Sequence, residues 1–263
     1  MVDDAEEHRL LNAGVDLTGA AAGGFVGYLV GGPAGALGGA LTTTGVVWAV
    51  KEFASRFLSR REEVRVGGVV LFAAQHLDEL LREGATLRDD GFFDDDHLGR
   101  NRGREVAEGV LLAARSAFEE RKVRHLGRLL ANVAVHPEVD AELASYMLGL
   151  AERMTWRQYV LIEAVARQAD GGQALPSGEV SDAAGDWGPF GARSELSRLF
   201  EDGFFVGPEK VTERVKLKLI NTTMSEWRLT NRGYLLRAML ALDEIDDADV
   251  DAAINALRPA DPN

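Results

Sequence analysis

The sequence predicts a mainly α-helical protein: a helical body, a C-terminal winged-helix-like module carrying a small β-ribbon, and an N-terminal glycine-zipper helix or hairpin. Three observations carry this. Apolar residues recur at helical spacing from residue 51 to about 155, and residues 155–243 read in the order helix, helix, β-ribbon, helix. Residues 17–50 hold no charged side chain and a four-residue glycine period. The textures divide the chain into an acidic leader (1–16), the glycine segment (17–50), the body (51–154), the C-terminal module (155–243) and an acidic tail (244–263).

The leader, Met1-Val2-Asp3-Asp4-Ala5-Glu6-Glu7, is acidic where a secretory signal is basic, so export by a cleaved signal is not expected. In the segment that follows, ten of 34 residues are glycine, and Gly19, Gly23, Gly27, Gly31, Gly35 and Gly39 form a stripe of bare backbone along a helix. In water each glycine costs a helix about 1 kcal/mol relative to alanine. Between helices the same stripe permits close backbone approach, the physics of the GxxxG face. Gly31-Gly32-Pro33 interrupts it, because proline lacks the amide donor and disfavours helical geometry before it. A kinked single span, a re-entrant hairpin and a soluble hairpin buried in a core or an oligomer interface all fit. Lys51, Arg56, Arg60, Arg61 and Arg65 follow the segment, which places the C-terminal side in the cytoplasm if it spans a membrane.

In the body, Lys51 to Arg61 and Val64 to Arg82 read as two helices, the second with Val69, Phe72, Ala73, Leu77, Leu80 and Leu81 as its apolar stripe. Arg88-Asp89-Asp90-Gly91-Phe92-Phe93-Asp94-Asp95-Asp96-His97 breaks them with an acidic loop. A long helix starts near Gly103, carries Val106, Val110, Leu111, Ala114 and Phe118, and continues into Arg121 to Asn132, the most basic stretch of the chain. Asp140 to Ala151 supplies one more amphipathic helix.

In the module, Thr155 caps a helix burying Tyr159, Leu161, Ile162 and Val165. A second helix, Ala192 to Phe200, ends at Asp202-Gly203, with Gly203 as its left-handed cap. Val215, Leu217 and Leu219 alternate with Arg214, Lys216 and Lys218 in the period of a half-buried strand; Trp227 to Thr230 gives a second strand, and Thr230 caps a helix reaching Leu242. The pieces Leu196 to Phe205 and Leu229-Thr230-Asn231-Arg232-Gly233 look like the "leucine, leucine, glycine, hydrophobic" and "leucine-threonine-x-x-glycine" marks of winged-helix proteins. With Arg121 to Asn132, His136-Pro137 and Met154-Thr155 to Gln158 before them, they resemble the abortive-infection alpha family of prokaryotic phage-resistance proteins, over about residues 105–242. The resemblance implies a helical body followed by a winged-helix-like end, and brings no catalytic motif.

A net charge of -13 argues against a protein that coats nucleic acid through a general positive field. The chain has no cysteine, which excludes a disulfide, a thiolate nucleophile and cysteine-ligated metal. No phosphate-binding loop or nucleophile elbow is visible, and no enzyme and no cofactor is expected. Asp94, Asp95, Asp96 and His97 diverge too sharply for a cation cage and read as a solvated loop, so no metal site is assigned. Arg121, Lys122, Arg124 and Arg128, with His125, suit a phosphate-bearing ligand or an anionic lipid headgroup, since 121, 124, 125 and 128 recur at helical spacing on one face; the competing reading is a solvated amphipathic helix. On the winged helix, Arg193, Arg198, Arg214, Lys216 and Lys218 are the candidate DNA contacts, among acidic neighbours that weaken such binding.

These readings lead to an expected membrane-associated, self-assembling effector of prokaryotic phage or stress defence. Its zipper would pack in the inner membrane as a homo-oligomeric pore or channel, in contact with lipid. Its cytoplasmic body would gate the pore in response to a signalling ligand or regulatory protein. The alternative is a soluble, oligomeric winged-helix regulator that binds DNA.

Overall fold

A computed structural model describes residues 59–94, 96–98, 101–176, 187–207 and 224–258. The glycine stripe from Gly19 to Gly39 and the wing residues Arg214, Lys216 and Lys218 lie outside the described residues. The chain divides into two compact units, Met1–Arg153 and Met154–Asn263.

In the first unit, α1 (Arg60–Arg82) is followed by α2 (Arg102–Ser116), α3 (Lys122–Val135) and α4 (Ala141–Arg153). α1 runs unbroken through the expected break at residues 62–63, with the Ser59 amide donating to Glu62 Oε2 at 2.6 Å at its start; residues 51–58 of the helix expected before it lie outside the described residues. Its middle, Val66 to Ala74, is largely buried, and α3 is its main partner. The two backbones touch at Gly127. A Cβ there would stand 2.6 Å from the Val69 carbonyl oxygen and 2.9 Å from the Ala73 amide, so only glycine admits the crossing. α2 and α3 are separate helices where one was expected. Ser116 Oγ donates back to the Leu112 and Ala113 carbonyls, and Ala117 leaves helical geometry at ψ 118°, turning the chain so that α3 returns across α1.

The loop after α1 is more than a solvated acidic run. Arg88 is buried, and its guanidinium donates to the carbonyls of Val133 (3.2 Å), His136 (3.2 Å), Pro137 (3.2 Å) and Val139 (2.8 Å), satisfying acceptors around the C-terminal end of α3. Asp90 pairs with the same guanidinium at 2.6 Å, which holds its carboxyl below the usual range, and the Phe92 ring packs 3.9 Å from it. Phe92 and Phe93 are buried.

The second unit is built on α5 (Trp156–Ala169), buried without interruption from Tyr159 to Ala166. Thr155 caps it by accepting from the Gln158 amide, as the sequence predicts. α6 (Trp187–Glu201) ends at Gly203, φ +77°, where the Phe204 and Gly203 amides donate to the Leu199 and Phe200 carbonyls. A two-residue strand, β1 (Phe205–Val206), pairs antiparallel with β2 (Arg228–Leu229), so the ribbon uses residues just past the glycine cap; the strand expected at Arg214 to Leu219 lies outside the described residues. Trp227 is buried behind it against Phe200 and Phe205, with ring centroids 4.9 and 5.8 Å away. Thr230 caps α7 (Asn231–Met239). Within the acidic tail, as far as residue 258, stands a helix the sequence reading did not name, α8 (Asp247–Ala256), and Val250, Ala253, Ile254 and Leu257 are buried at helical spacing.

The architecture is thus mainly helical with a small two-stranded sheet near the C-terminus. It corrects the expectation of a transmembrane helix, and with it of an inner-membrane pore or channel. Among the described residues no helix is long and apolar enough to cross a membrane. The longest, α1, has length enough, but the stretch between Arg65 and Asp78 is too short for a span of about 20 apolar residues.

Candidate functional site

The basic stretch of α3 does not act as one face. Lys122 is buried, and its Nζ donates to the Glu152 carbonyl at 2.9 Å; burial lowers its pKa, against the opposing pull of Glu119 and Glu152. That lysine therefore ties α3 to the end of α4. His125 is buried as well, and Arg121 is half-buried just ahead of the helix. Arg124 and Arg128, one turn apart, are the two that come together. They line a cleft of about 230 Å³ beside the crossing of α1 and α3, with Phe72, Gln75, His76, Asp78, Glu79 and Arg82 opposite.

The fold holds this arrangement from two sides. Gly127 sits between the two arginines in sequence and brings the α3 backbone onto Val69, Phe72 and Ala73, so the side chains flanking it must face the next turns of α1. Those turns carry Phe72, His76, Glu79 and Arg82 along one side of the helix. Phe72 is buried at the floor, Arg128 is 4% exposed, and Arg124 is half-buried. At the rim Arg82 pairs with Asp78, and His76 Nδ1 lies 3.5 Å from Glu79 Oε2. Three guanidinium groups and two carboxylates therefore share the lining, which is positive by one charge with His76 neutral, in a chain of net charge -13. Guanidinium forks present paired N–H donors that match oxyanions.

The α1 half of this cleft escapes sequence reasoning, which reads Phe72 as core and leaves His76 unassigned. Its signal was the recurrence of Gln75, His76, Glu79 and Arg82 beside an apolar stripe, a polar face on a helix otherwise made for burial.

In the second unit, Arg193 is buried and its Nε donates to the Leu257 carbonyl at 2.8 Å, closing the end of α8. Arg198 is exposed on α6 and pairs with Asp202 at 3.1 Å. The two arginines read as one DNA-contacting set thus do different work. The strongest charge cluster of this unit is one the sequence did not flag. Glu163, 1% exposed, accepts from Arg167 Nε at 2.8 Å and from Arg237 Nε at 2.6 Å and Nη2 at 3.2 Å. Arg167 also reaches Asp247 and the carbonyls of Asp243 and Ile245. This joins α5 to α7 and to the approach of α8, a structural hub.

No protein-family model, curated protein or solved structure matches the chain.

Proposed function

We propose that the protein is an anion-responsive regulator, whose first unit binds a small anionic ligand in the cleft between α1 and α3. The observation that carries this is the convergence of Arg82, Arg124 and Arg128, from two helices, on one cleft floored by Phe72. Binding, not bond breaking, is what such a lining suits: guanidinium groups at neutral pH hold an anion and do not take up its proton. The second unit is the responding module. Its order of α5, α6, β1, β2 and α7 supports a winged-helix-like reading, with Arg198 as an exposed cation for DNA and the glycine stripe from Gly19 to Gly39 as a homo-oligomer contact. The resemblance to the abortive-infection alpha family supports a setting in prokaryotic phage defence.

The test is calorimetric titration and thermal melting of the full chain with inorganic phosphate and sulfate, against chloride at matched ionic strength. The expected result is saturable binding and a raised melting temperature, both lost in Arg124→Gln, whose half-buried position leaves the helix intact. Stabilisation equal to that from chloride, or unchanged binding in the variant, sinks the reading. For the response, size analysis and DNA mobility shift with and without the anion should differ; identical profiles would remove the regulatory half.

A further inference from the structure

The corner where α1 begins, beside the turn from α2 into α3, carries two features that the rest of the first unit does not explain. Phe118, within that turn, is 95% exposed. A single exposed apolar residue needs no explanation by itself, so its neighbours decide what it means. Arg65 is one of them. Its Nη1 lies 3.5 Å from the Arg115 carbonyl and its Nη2 3.5 Å from Glu120 Oε1, on either side of Phe118 in the chain. Both contacts are long for a guanidinium, whose charge-assisted bonds run at about 2.7–2.9 Å. The Arg65 Nε is buried and has no hydrogen-bond partner among the described residues. A buried donor in that state calls for an acceptor. An apolar side chain without cover and a buried donor without an acceptor thus meet at one corner.

The chain itself arrives there. Glu62, in the first turn of α1, accepts from Arg115 Nε at 3.0 Å, three residues ahead of Phe118. Ser59 is extended, at φ -68° and ψ 157°, so the chain before it leaves the axis of α1 and does not prolong that helix. An apolar residue just ahead of a helix cap commonly packs on the fourth helical residue. Here Leu58 holds the first place and Glu63 the second, so α1 offers it no apolar partner. Phe53 and Phe57 precede Leu58 in the same segment.

We infer that residues 51–58 dock on this corner, with Phe57 and Leu58 against Phe118 and an acceptor of the same segment on Arg65 Nε. Both halves of the corner are then answered by one short piece of chain. Reach is not limiting: eight extended residues span about 28 Å, and the rise along α1 from Ser59 to Arg65 is about 9 Å. The docking fixes where the charge-free stretch of residues 17–50 leaves the body, beside the turn that leads into α3. It uses none of the side chains that line the cleft between α1 and α3.

The chain has no cysteine, so pairs of introduced thiols report contact without background. The test compares Phe57→Cys with Phe118→Cys against Phe57→Cys with Leu98→Cys, in the full chain under mild oxidation. Leu98 is exposed as well, and it precedes the opposite end of α2. The intrachain disulfide of the first pair should form roughly tenfold or more faster than that of the second, because effective concentration falls where the span does not match. A second measurement uses Phe118→Asp, which removes a side chain the body does not bury. This variant should keep the helical circular dichroism of wild type, while chymotrypsin cleavage after Phe53 and Phe57, read by mass spectrometry, should rise severalfold.

Equal rates for the two thiol pairs overturn the inference. A first pair that links only between copies overturns it too, and assigns Phe118 to a second copy of the chain. Cleavage after Phe53 and Phe57 that is unchanged in Phe118→Asp has the same consequence, since a docked segment loses its anchor in that variant.

Discussion

The two units handle arginine in opposite ways. In the first, Arg82, Arg124 and Arg128 are gathered at the edge of a helix crossing, facing a cleft, while the crossing itself is held by backbone contact at Gly127. In the second, Arg167 and Arg237 converge on a single buried carboxylate, Glu163. The first unit sets its cations along the wall of a cleft; the second turns Arg167 and Arg237 onto one buried carboxylate. Clusters of basic residues thus signify function only after the acceptors that the fold supplies have been counted. Arg88 makes the same point within the first unit, since the carbonyls around the end of α3 and Asp90 take up its donors.

Glu163→Gln tests this contrast most severely. The amide keeps the volume and one oxygen acceptor but removes the charge that two guanidinium groups share. Breaking a buried ion pair by removing one partner costs about 3–5 kcal/mol; because Arg167 and Arg237 are each 25% exposed and can draw water, we expect the lower end. Chemical denaturation followed by circular dichroism should show the loss. A change below about 0.5 kcal/mol, the range of ordinary surface substitutions, would mean that the hub is incidental.

Gly127→Ala comes next, and two effects oppose. Alanine in a helix interior gains about 1 kcal/mol over glycine. Against this, the new Cβ overlaps backbone atoms of α1, including the Val69 carbonyl at 2.6 Å, and these cannot swing aside as a side chain would. Overpacking of this kind costs about 1–3 kcal/mol, so the balance is expected to be a net loss of about 1 kcal/mol. The same shift separates α1 from α3, so binding of phosphate should weaken more than the stability change accounts for. A stabilised variant with intact binding would break the claim that the crossing sets the cleft.

What was legible in the sequence follows the range of the interaction. Caps are local, and Thr155, Thr230 and Gly203 do what their residue types predict. The face of α3 was legible in part: helical spacing puts Arg124 and Arg128 together, but it could not tell that Lys122 would be buried on the Glu152 carbonyl, because that depends on where α4 ends. The α1 side of the cleft depends on two helices distant in the chain meeting at Gly127, and no local pattern encodes the register of that meeting. α8 was missed for a different reason. Asp243, Glu244, Asp246, Asp247, Asp249 and Asp251 dominate the composition there, and they mask the apolar spacing of Val250, Ala253, Ile254 and Leu257. Charge average and charge placement gave opposite answers, and placement decided the structure.

The smallest effect sharpens the comparison from the side of exposed charge. Glu62 accepts from the Ser59 amide and from Arg115 at the start of α1, and these contacts, the amide first, lower its pKa from 4.5 to about 2. A carboxyl whose folded pKa is depressed stabilises the fold above its unfolded value and loses that contribution as pH falls through the folded one. Wild type should therefore exceed Glu62→Gln in melting temperature by a small, constant margin above about pH 4.5, and the margin should close as pH approaches 2. The side chain is solvent-accessible, so the margin should also shrink with added salt. Glu163 differs here, because its partners surround it: salt that erases the Glu62 margin should leave most of the Glu163→Gln loss in place. Equal salt sensitivity for the two substitutions would dissolve the distinction between charge at the margin of one unit and charge at the centre of the other.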